Sequence, residues 1–119
     1  TKTYNEYGIP MFPIENGIGY QETFDGSEIQ DDYRIEYHRD HIQAMIDAVV
    51  DDGVPVLGYL GWGLIDIPSS SGNMEKRYGM VYVNRGNHEL RDMKRVPKKS
   101  YKWFKQVIES NGDNLEDNF

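Results

Sequence analysis

The hydrophobic residues of this chain follow two patterns: short continuous runs that predict strands, and a three-to-four-residue spacing that predicts helices. Two continuous runs, at residues 9–14 and 54–67, have the length of strands, and the second is apolar enough to be buried on both faces. A polar loop over residues 17–30 leads into a helix that begins at Asp31 and Asp32. Carboxylates at these positions compensate the unpaired N–H groups of a helix N-terminus.

Glycines mark where the first two helices are expected to end. The polar segment 1–8 resembles the end of a helix that stops at Gly8, and Gly53 follows the helix that begins near Asp31. This second helix should bury one stripe of side chains at helical spacing, formed by Ile35, Ile42, Met45, Ile46 and Val49.

The C-terminal third predicts a hairpin and a last helix. An alternating strand at residues 78–83 is followed by a turn at 84–87 and a return strand at 90–94. Pro97 suits the first position of a helix, because its missing N–H would have no partner there. That helix should end at Gly112 and bury a face formed by Tyr101, Phe104, Val107 and Ile108.

The predicted elements form one domain over residues 1–112, and the polar residues 113–119 form a tail that we expect to be frayed. The order strand, helix, strand, hairpin, helix contains two βα units and predicts an α/β fold with parallel strands. Two parallel strands with apolar faces cannot bury themselves alone, so another part of a protein must complete this core.

Composition narrows the class of protein. A formal charge of −7 over 119 residues argues against general binding to nucleic acids or anionic membranes. The absence of cysteine leaves no disulfides or thiolate chemistry, as is usual in a reducing cytoplasm. No apolar run reaches the roughly 20 residues of a membrane helix, and the first residues lack a signal-peptide pattern. We therefore expect a soluble, cytoplasmic protein.

Two segments carry candidate chemistry. Glu15 precedes Asn16 and Gly17 in a turn that closes the first apolar run. Downstream, a Ser-Gly loop that begins at Ser69 leads into a segment with Lys76 and Tyr78. Residues two apart in an extended segment face the same way, so the ammonium and the phenol can converge on one anionic group.

Five sequence blocks occur in a fixed order, namely Glu15-Asn16-Gly17, Asp32-Tyr33-Arg34-Ile35 with Tyr37 and His41, Trp62 with Asp66, Lys76-Arg77-Tyr78-Gly79, and Pro97-Lys98-Lys99-Ser100. Together they resemble the C-terminal end of glycoside hydrolase family 1. The resemblance implies an α/β fold, the last two βα units (strands 7 and 8) of a (β/α)8 TIM barrel, present as a fragment. Pro13 departs from the family pattern, because a proline cannot donate to a central strand ladder.

The resemblance makes Glu15 the nucleophile of a retaining glycosidase. Retaining hydrolysis needs a second carboxyl group about 5–5.5 Å away as general acid. The family supplies it from an Asn-Glu-Pro motif, which this chain lacks. We therefore expect the isolated chain to be inactive. The simpler alternative is that Glu15 is an ordinary loop glutamate before a turn.

Ser69, Lys76 and Tyr78 resemble the phosphate site of the 6-phospho-glycosidase branch. Members that act on unphosphorylated sugars carry a glutamate at the position of Ser69. A carboxylate about 4 Å from a phosphate charge would cost about 4 kcal/mol at an effective dielectric constant near 20. A small residue at Ser70 resembles the glucose branch rather than the galactose branch. The alternative is a solvated Ser-Gly loop beside a surface lysine, and Arg77 is expected to be an ion-pair partner.

Trp62 resembles the aromatic platform beneath the sugar ring, since indole offers a broad apolar face. The alternative is a tryptophan of the hydrophobic core. His38 and His41 lie three apart on one helix, but no cysteine, third histidine or suitably placed carboxylate completes a zinc site. We therefore expect no metal and no organic cofactor.

The resemblance implies the C-terminal segment of a 6-phospho-β-glucosidase that hydrolyses β-glucoside 6-phosphates. Its expected partners are that substrate and either the rest of the barrel or other copies of the chain, with no nucleic acid or membrane. The alternative is a non-catalytic fragment that binds phosphosugar or self-associates. A third possibility, an unrelated small α/β domain with chance motifs, is disfavoured by the ordered blocks.

Overall fold

The computed structural model describes residues 1–117 of the 119-residue chain. Three helices and one short hairpin form it in the order α1 (Lys2–Tyr7), α2 (Asp32–Asp52), β1 (Val81–Val83), β2 (Arg95–Pro97) and α3 (Lys99–Glu109). The two strands pair antiparallel, with Val81 opposite Pro97 and Val83 opposite Arg95. Within residues 1–117, no helix is both long enough and apolar enough to cross a bilayer.

The helix ends confirm the predicted glycine stops. Gly8 follows α1 with φ +68°, and Gly53 follows α2 with φ +65°. Glycine has no Cβ and therefore adopts this left-handed conformation without a steric penalty. The two helices end where the sequence predicts.

The two long predicted strands are not regular strands. Residues 9–16 and 54–61 run parallel, as expected, but instead of a continuous ladder they form the isolated bridges Met11–Val56 and Asn16–Gly61. Pro13 contributes its carbonyl, which accepts a hydrogen bond from the Leu60 N–H at 2.9 Å. Because proline has no N–H to return, the ladder between these segments is interrupted at that point.

Within the described residues, the segment 54–67 is covered on one side only, as expected for a strand whose core another part of the protein must complete. Leu57 is 71% exposed and Leu64 is 67% exposed. Tyr59 packs on the core side, against the helices. The described residues supply a covering layer on one side only, so the apolar side chains of the other side remain open.

The hairpin forms with a different partner segment. β1 pairs with Arg95–Pro97 rather than with residues 90–94. Arg91 and Met93 have φ values of +51° and +57°, a left-handed conformation that a strand cannot contain. Pro97 consequently ends β2, and α3 begins two residues later than predicted.

The core lies between α2 and α3. Its buried members are Ile35, Ile42, Trp103 and Val107, with Ile46, Tyr59, Phe104 and Leu115 packed against them. The expected face of α3 is partly wrong, because Ile108 is 66% exposed whereas Trp103 is completely buried. Trp103 and Val107, four residues apart, define the stripe that α3 turns toward α2. Val49 of the α2 stripe is likewise exposed.

The tail is not frayed over the residues that the structure describes. The carbonyl of Leu115 accepts hydrogen bonds from Arg39 Nε at 2.9 Å and from Trp103 Nε1 at 3.1 Å. The tail residues that the structure describes therefore fold back onto both long helices. The last two positions of the predicted tail, 118 and 119, lie outside the described residues.

Candidate active site

Five of the six predicted site residues line one cavity of about 270 Å³. They are Glu15, Trp62, Ser69, Ser70 and Tyr78, and Asn16, Gly17 and Pro68 complete the wall. The glutamate turn at residues 15–17 is distant in the sequence from the segment 62–78, which supplies the other residues. The structure thus brings the glutamate turn, the tryptophan and the serine loop together.

The glutamate turn is held by a close approach to the second extended segment. The N–H of Trp62 donates to the carbonyl of Asn16 at 2.6 Å. A Cβ built on Gly17 would lie 2.2 Å from the Trp62 carbonyl oxygen, so this position accepts only glycine. The glycine of the Glu-Asn-Gly turn therefore places Glu15 beside Trp62.

Hydrogen bonds on both sides hold the Asn16 side chain. Tyr37 donates its hydroxyl to Asn16 Oδ1 at 2.7 Å, and Asn16 Nδ2 donates to the Tyr59 hydroxyl at 2.8 Å. The Tyr59 hydroxyl lies 2.7 Å from Nδ1 of His38, which is completely buried in α2. Burial lowers the pKa of His38 to about 4, helped by the charge of Arg34, so the ring is neutral at pH 7.

Sequence reasoning missed Tyr59 and considered His38 only as a metal ligand. Within residues 1–117, no three or more His, Asp or Glu side chains are grouped to hold a metal ion. The apolar surroundings of Tyr59 in the sequence give no sign of a polar role, since its partners lie 21 and 43 positions away.

Tyr78 lines the cavity, and Lys76 lies beside it. Lys76 Nζ is 5.6 Å from the centre of the Tyr78 ring. A Cβ on Gly19 would lie 2.6 Å from that ring and 2.9 Å from Lys76 Cε, so the chain at Gly19 passes directly over both. Lys76 itself lines a neighbouring cavity of about 300 Å³ and does not line the one that contains Glu15.

The serine loop is a compact turn. Ser69 Oγ accepts a hydrogen bond from the Asn73 N–H at 3.2 Å and lies 2.8 Å from Ser71 Oγ. The backbone closes the same loop, because the Ser69 N–H donates to the Asn73 carbonyl at 3.0 Å. These bonds fix Ser69 on a folded-back loop at the wall of the cavity.

Trp62 is not a core tryptophan. It is 39% exposed and lines the cavity, whereas Trp103 is the tryptophan of the core. Its role in binding a sugar remains a prediction.

Comparison with known proteins decides the family. The sequence profile described as "Glycosyl hydrolase family 1" matches residues 1–113. The chain belongs to glycosyl hydrolase family 1.

Relatives of this family 1 chain include enzymes with phosphorylated substrates in their names. It is 49% identical over 115 residues to "6-phospho-beta-glucosidase AscB" of Escherichia coli (strain K12). It is 46% identical over 114 residues to "Aryl-phospho-beta-D-glucosidase BglA" of Bacillus subtilis (strain 168). These matches cover 95% and 94% of this chain and 24% of each relative, so the chain spans about a quarter of their length.

Solved structures agree with the sequence match. "Family 1 b-glucosidase from Thermotoga maritima" superimposes with a TM-score of 0.83 and 30% sequence identity, over 95% of this chain and 25% of that chain. Family 1 β-glucosidases are TIM barrels. The fold of this family 1 chain is therefore a part of that architecture.

This family 1 chain also contains a network of six buried charged side chains. Its members have side chains at most 2% exposed and comprise three carboxylates and three cations, namely Glu22, Asp31, Asp66, Arg34, Arg77 and Lys98. Three negative and three positive charges give the network no net charge. Because water does not reach these side chains, the charges stabilise one another in place of hydration.

Lys98 occupies the centre of this network. Its Nζ lies 2.6 Å from Glu22 and 2.9 Å from Asp66, and it donates to the Gly79 carbonyl at 2.7 Å. Burial, with the nearby charge of Arg34, lowers the pKa of Lys98 although the two carboxylates oppose the shift. Burial raises the pKa of Glu22, but Arg34 and Lys98 outweigh it and hold that pKa below its ordinary value.

Arg77 anchors the short segment that contains Lys76 and Tyr78. Its guanidinium pairs with Asp66 at 3.1 Å and donates to the Val83 carbonyl at 2.9 Å, which confirms the expected ion pair. Its backbone carbonyl accepts a bond from Arg34 Nη2 at 2.9 Å. The buried side chain of Arg77 therefore anchors the short segment that carries its neighbours Lys76 and Tyr78.

Proposed function

We propose that this chain is the C-terminal segment of a retaining 6-phospho-β-glucosidase and forms the last two βα units, strands 7 and 8, of its (β/α)8 barrel. The observation that carries the proposal is the single cavity that contains Glu15, Trp62, Ser69 and Tyr78. The names of the E. coli and B. subtilis relatives support the substrate class, a β-glucoside 6-phosphate.

Glu15 acts as the nucleophile in this proposal. Its carboxylate attacks the anomeric carbon and forms a covalent glycosyl-enzyme, while a general acid from another part of the barrel protonates the departing oxygen. Water then attacks the same carbon, the former acid takes its proton, and Glu15 is released. Trp62 lies against the apolar face of the sugar ring.

Ser69, Lys76 and Tyr78 hold the 6-phosphate. Lys76 supplies positive charge, and the two hydroxyl groups supply hydrogen-bond donors. A serine rather than a carboxylate at position 69 leaves the phosphate without a repelling neighbour there. Ser70, which lines the same wall, leaves room for a glucose-configured sugar.

The rest of the barrel covers the open apolar side of this segment. Ile14, Leu57 and Leu64 are exposed in the described residues and would meet the neighbouring strands. Burial of such side chains is favourable by about 25 cal/mol per Å² of apolar surface.

The test uses the full-length enzyme that contains this chain. Glu15→Gln replaces the carboxylate by a nearly isosteric amide that cannot form the glycosyl-enzyme. We expect it to lose turnover of 4-nitrophenyl β-glucoside 6-phosphate while it still binds this substrate. Glu36→Gln, at an exposed position of α2, is the matched control and should keep full activity. A Glu15→Gln enzyme with normal turnover, or a wild-type enzyme that prefers the unphosphorylated glucoside, would contradict the proposal.

A further inference from the structure

The position of the Glu15 carboxylate is determined by the backbone of its turn and not by hydrogen bonds to the carboxylate itself. Among residues 1–117, no side chain or backbone group donates a hydrogen bond to it. Its position in the cavity therefore depends on how firmly the turn of residues 15–17 is held.

Asn16 is the point at which that turn is held. Its carbonyl accepts from the Trp62 N–H, its Oδ1 accepts from Tyr37, and its Nδ2 donates to Tyr59. Three bonds in different directions leave the residue next to Glu15 little freedom to rotate or shift.

The directions of these hydrogen bonds bear on His38, which lies at the far end of the network from Glu15, and on which of its ring nitrogens carries the proton. With the Asn16 amide in this orientation, the Tyr59 oxygen accepts a hydrogen bond from Asn16 Nδ2, and its own O–H is free to donate to His38 Nδ1. This direction places the ring proton of His38 on Nε2, which is buried and has no hydrogen-bond partner among the described residues. The ring itself is completely buried in α2. A hydrogen-bonded chain thus connects α2 to the glutamate turn through the second extended segment.

We propose that His38 and Tyr59 are positioning residues, which hold Asn16 and thereby keep the Glu15 carboxylate aimed at the anomeric carbon. The inference rests on the proposed function of Glu15. Neither residue lines the cavity. Their loss should leave substrate binding nearly intact and slow the formation of the glycosyl-enzyme.

The matched set of variants is made in the full-length enzyme. Tyr59→Phe removes only the hydroxyl, and His38→Leu removes the acceptor. His38→Asn keeps an acceptor oxygen near the position of Nδ1. Tyr101→Phe, at a partly exposed position of α3, is the control for loss of a tyrosine hydroxyl.

We expect Tyr59→Phe and His38→Leu to lower the rate constant for glycosyl-enzyme formation about 10–100-fold, the effect of a displacement of about 1 Å. The dissociation constant of the substrate should change less than about threefold. His38→Asn should recover most of the lost rate, and Tyr101→Phe should match the wild type. Time-dependent inactivation by a 2-fluoroglucoside 6-phosphate measures the rate constant and the affinity separately.

Three outcomes would overturn the inference and are distinct from failure of the proposed function. Variants that lose only thermal stability, or that lose only affinity, would make His38 and Tyr59 merely structural, even if Glu15→Gln is inactive. If the variants do not fold, 15N spectra of the wild-type enzyme still decide, because a proton on His38 Nδ1 contradicts the chain as drawn. An active Glu15→Gln enzyme would instead refute the function itself.

Discussion

His38 acquires its state from its surroundings. The ring is completely buried, and its Nδ1 lies 2.7 Å from the hydroxyl of Tyr59. An imidazolium would lose its hydration there and would face the charge of Arg34, so the neutral ring is favoured. Loss of solvent also raises the pKa of Tyr59 to about 12, which keeps its hydroxyl protonated and able to donate.

The first prediction concerns the titration of this residue. The pKa of His38 falls from 6.5 to about 4, so between these pH values only the unfolded chain binds the proton. The stability that the neutral ring contributes is therefore complete above pH 6.5 and is lost as the pH falls toward 4. NMR titration should show no change of the His38 ring signal between pH 8 and pH 5.5, with His38→Asn identifying the signal. A midpoint near 6.5 would contradict the structure.

Which residues lie together was predictable where short motifs indicated it, while their roles remain predictions. Glu15, Trp62 and Ser69 stand in short motifs, and the cavity contains all three. Tyr59 could not be found in this way, because its polar partners His38 and Asn16 become neighbours only after folding.

At the scale of elements, the sequence predicted the ends of helices better than the pairing of strands. The stops at Gly8 and Gly53 depend on the backbone of single residues. The position of the return strand depends on Arg91 and Met93, whose left-handed backbone conformation keeps the predicted residues 90–94 from forming a strand. No local propensity indicates this conformation. Pairing is determined by neighbouring segments, so the extended runs were located correctly and paired more sparsely than predicted.

Asp31 connects two elements in a manner that the sequence did not show. It precedes α2 as expected, but its side chain makes no cap bond to that helix. Oδ1 instead accepts from the Ser100 N–H at 2.9 Å, and Oδ2 accepts from Ser100 Oγ at 2.5 Å and from Arg34 at 2.6 Å. Asp31 thus caps the N-terminus of α3 and fixes the two helices against each other.

The second prediction compares two adjacent aspartates. Asp31→Ala should lower the free energy of unfolding by about 3–5 kcal/mol, because it leaves buried Ser100 without its acceptor and removes one of the two carboxylates that pair with buried Arg34. Asp32→Ala removes only an exposed ion pair with Lys99 and should cost about 0–1 kcal/mol. Denaturant unfolding measures both. Equal losses for the two variants would exclude the capping role of Asp31.

At the scale of the whole molecule, the extended segments carry large apolar side chains that remain exposed. They are Ile9, Phe12, Ile14, Leu57, Leu60, Leu64 and Ile67. Contiguous apolar patches above a few hundred Å² are rare on soluble monomers, and unpaired strand edges bind other chains. The sequence did predict this incompleteness, because it showed two buried-type strands and too few elements to cover them.

The third prediction follows from these exposed side chains. The isolated 119-residue chain should self-associate at micromolar concentration, with the apolar side chains as the contact. Light scattering measures the mass in solution, and Leu57→Glu with Leu64→Glu should shift the mass toward that of a monomer. A well-dispersed wild-type monomer with a cooperative melting transition would show that the chain covers its own surface.

The central claim is that Glu15 is the nucleophile of a phosphoglucosidase, and covalent labelling tests it most directly. The full-length enzyme is inactivated with a 2-deoxy-2-fluoroglucosyl fluoride 6-phosphate, digested with pepsin and examined by tandem mass spectrometry. The fluorine slows release of the glycosyl-enzyme, so the attacking residue keeps the sugar. We predict that the peptide with Glu15-Asn16-Gly17 carries the added mass on Glu15. A label on any other carboxylate, or labelling only by the unphosphorylated sugar, would contradict the account.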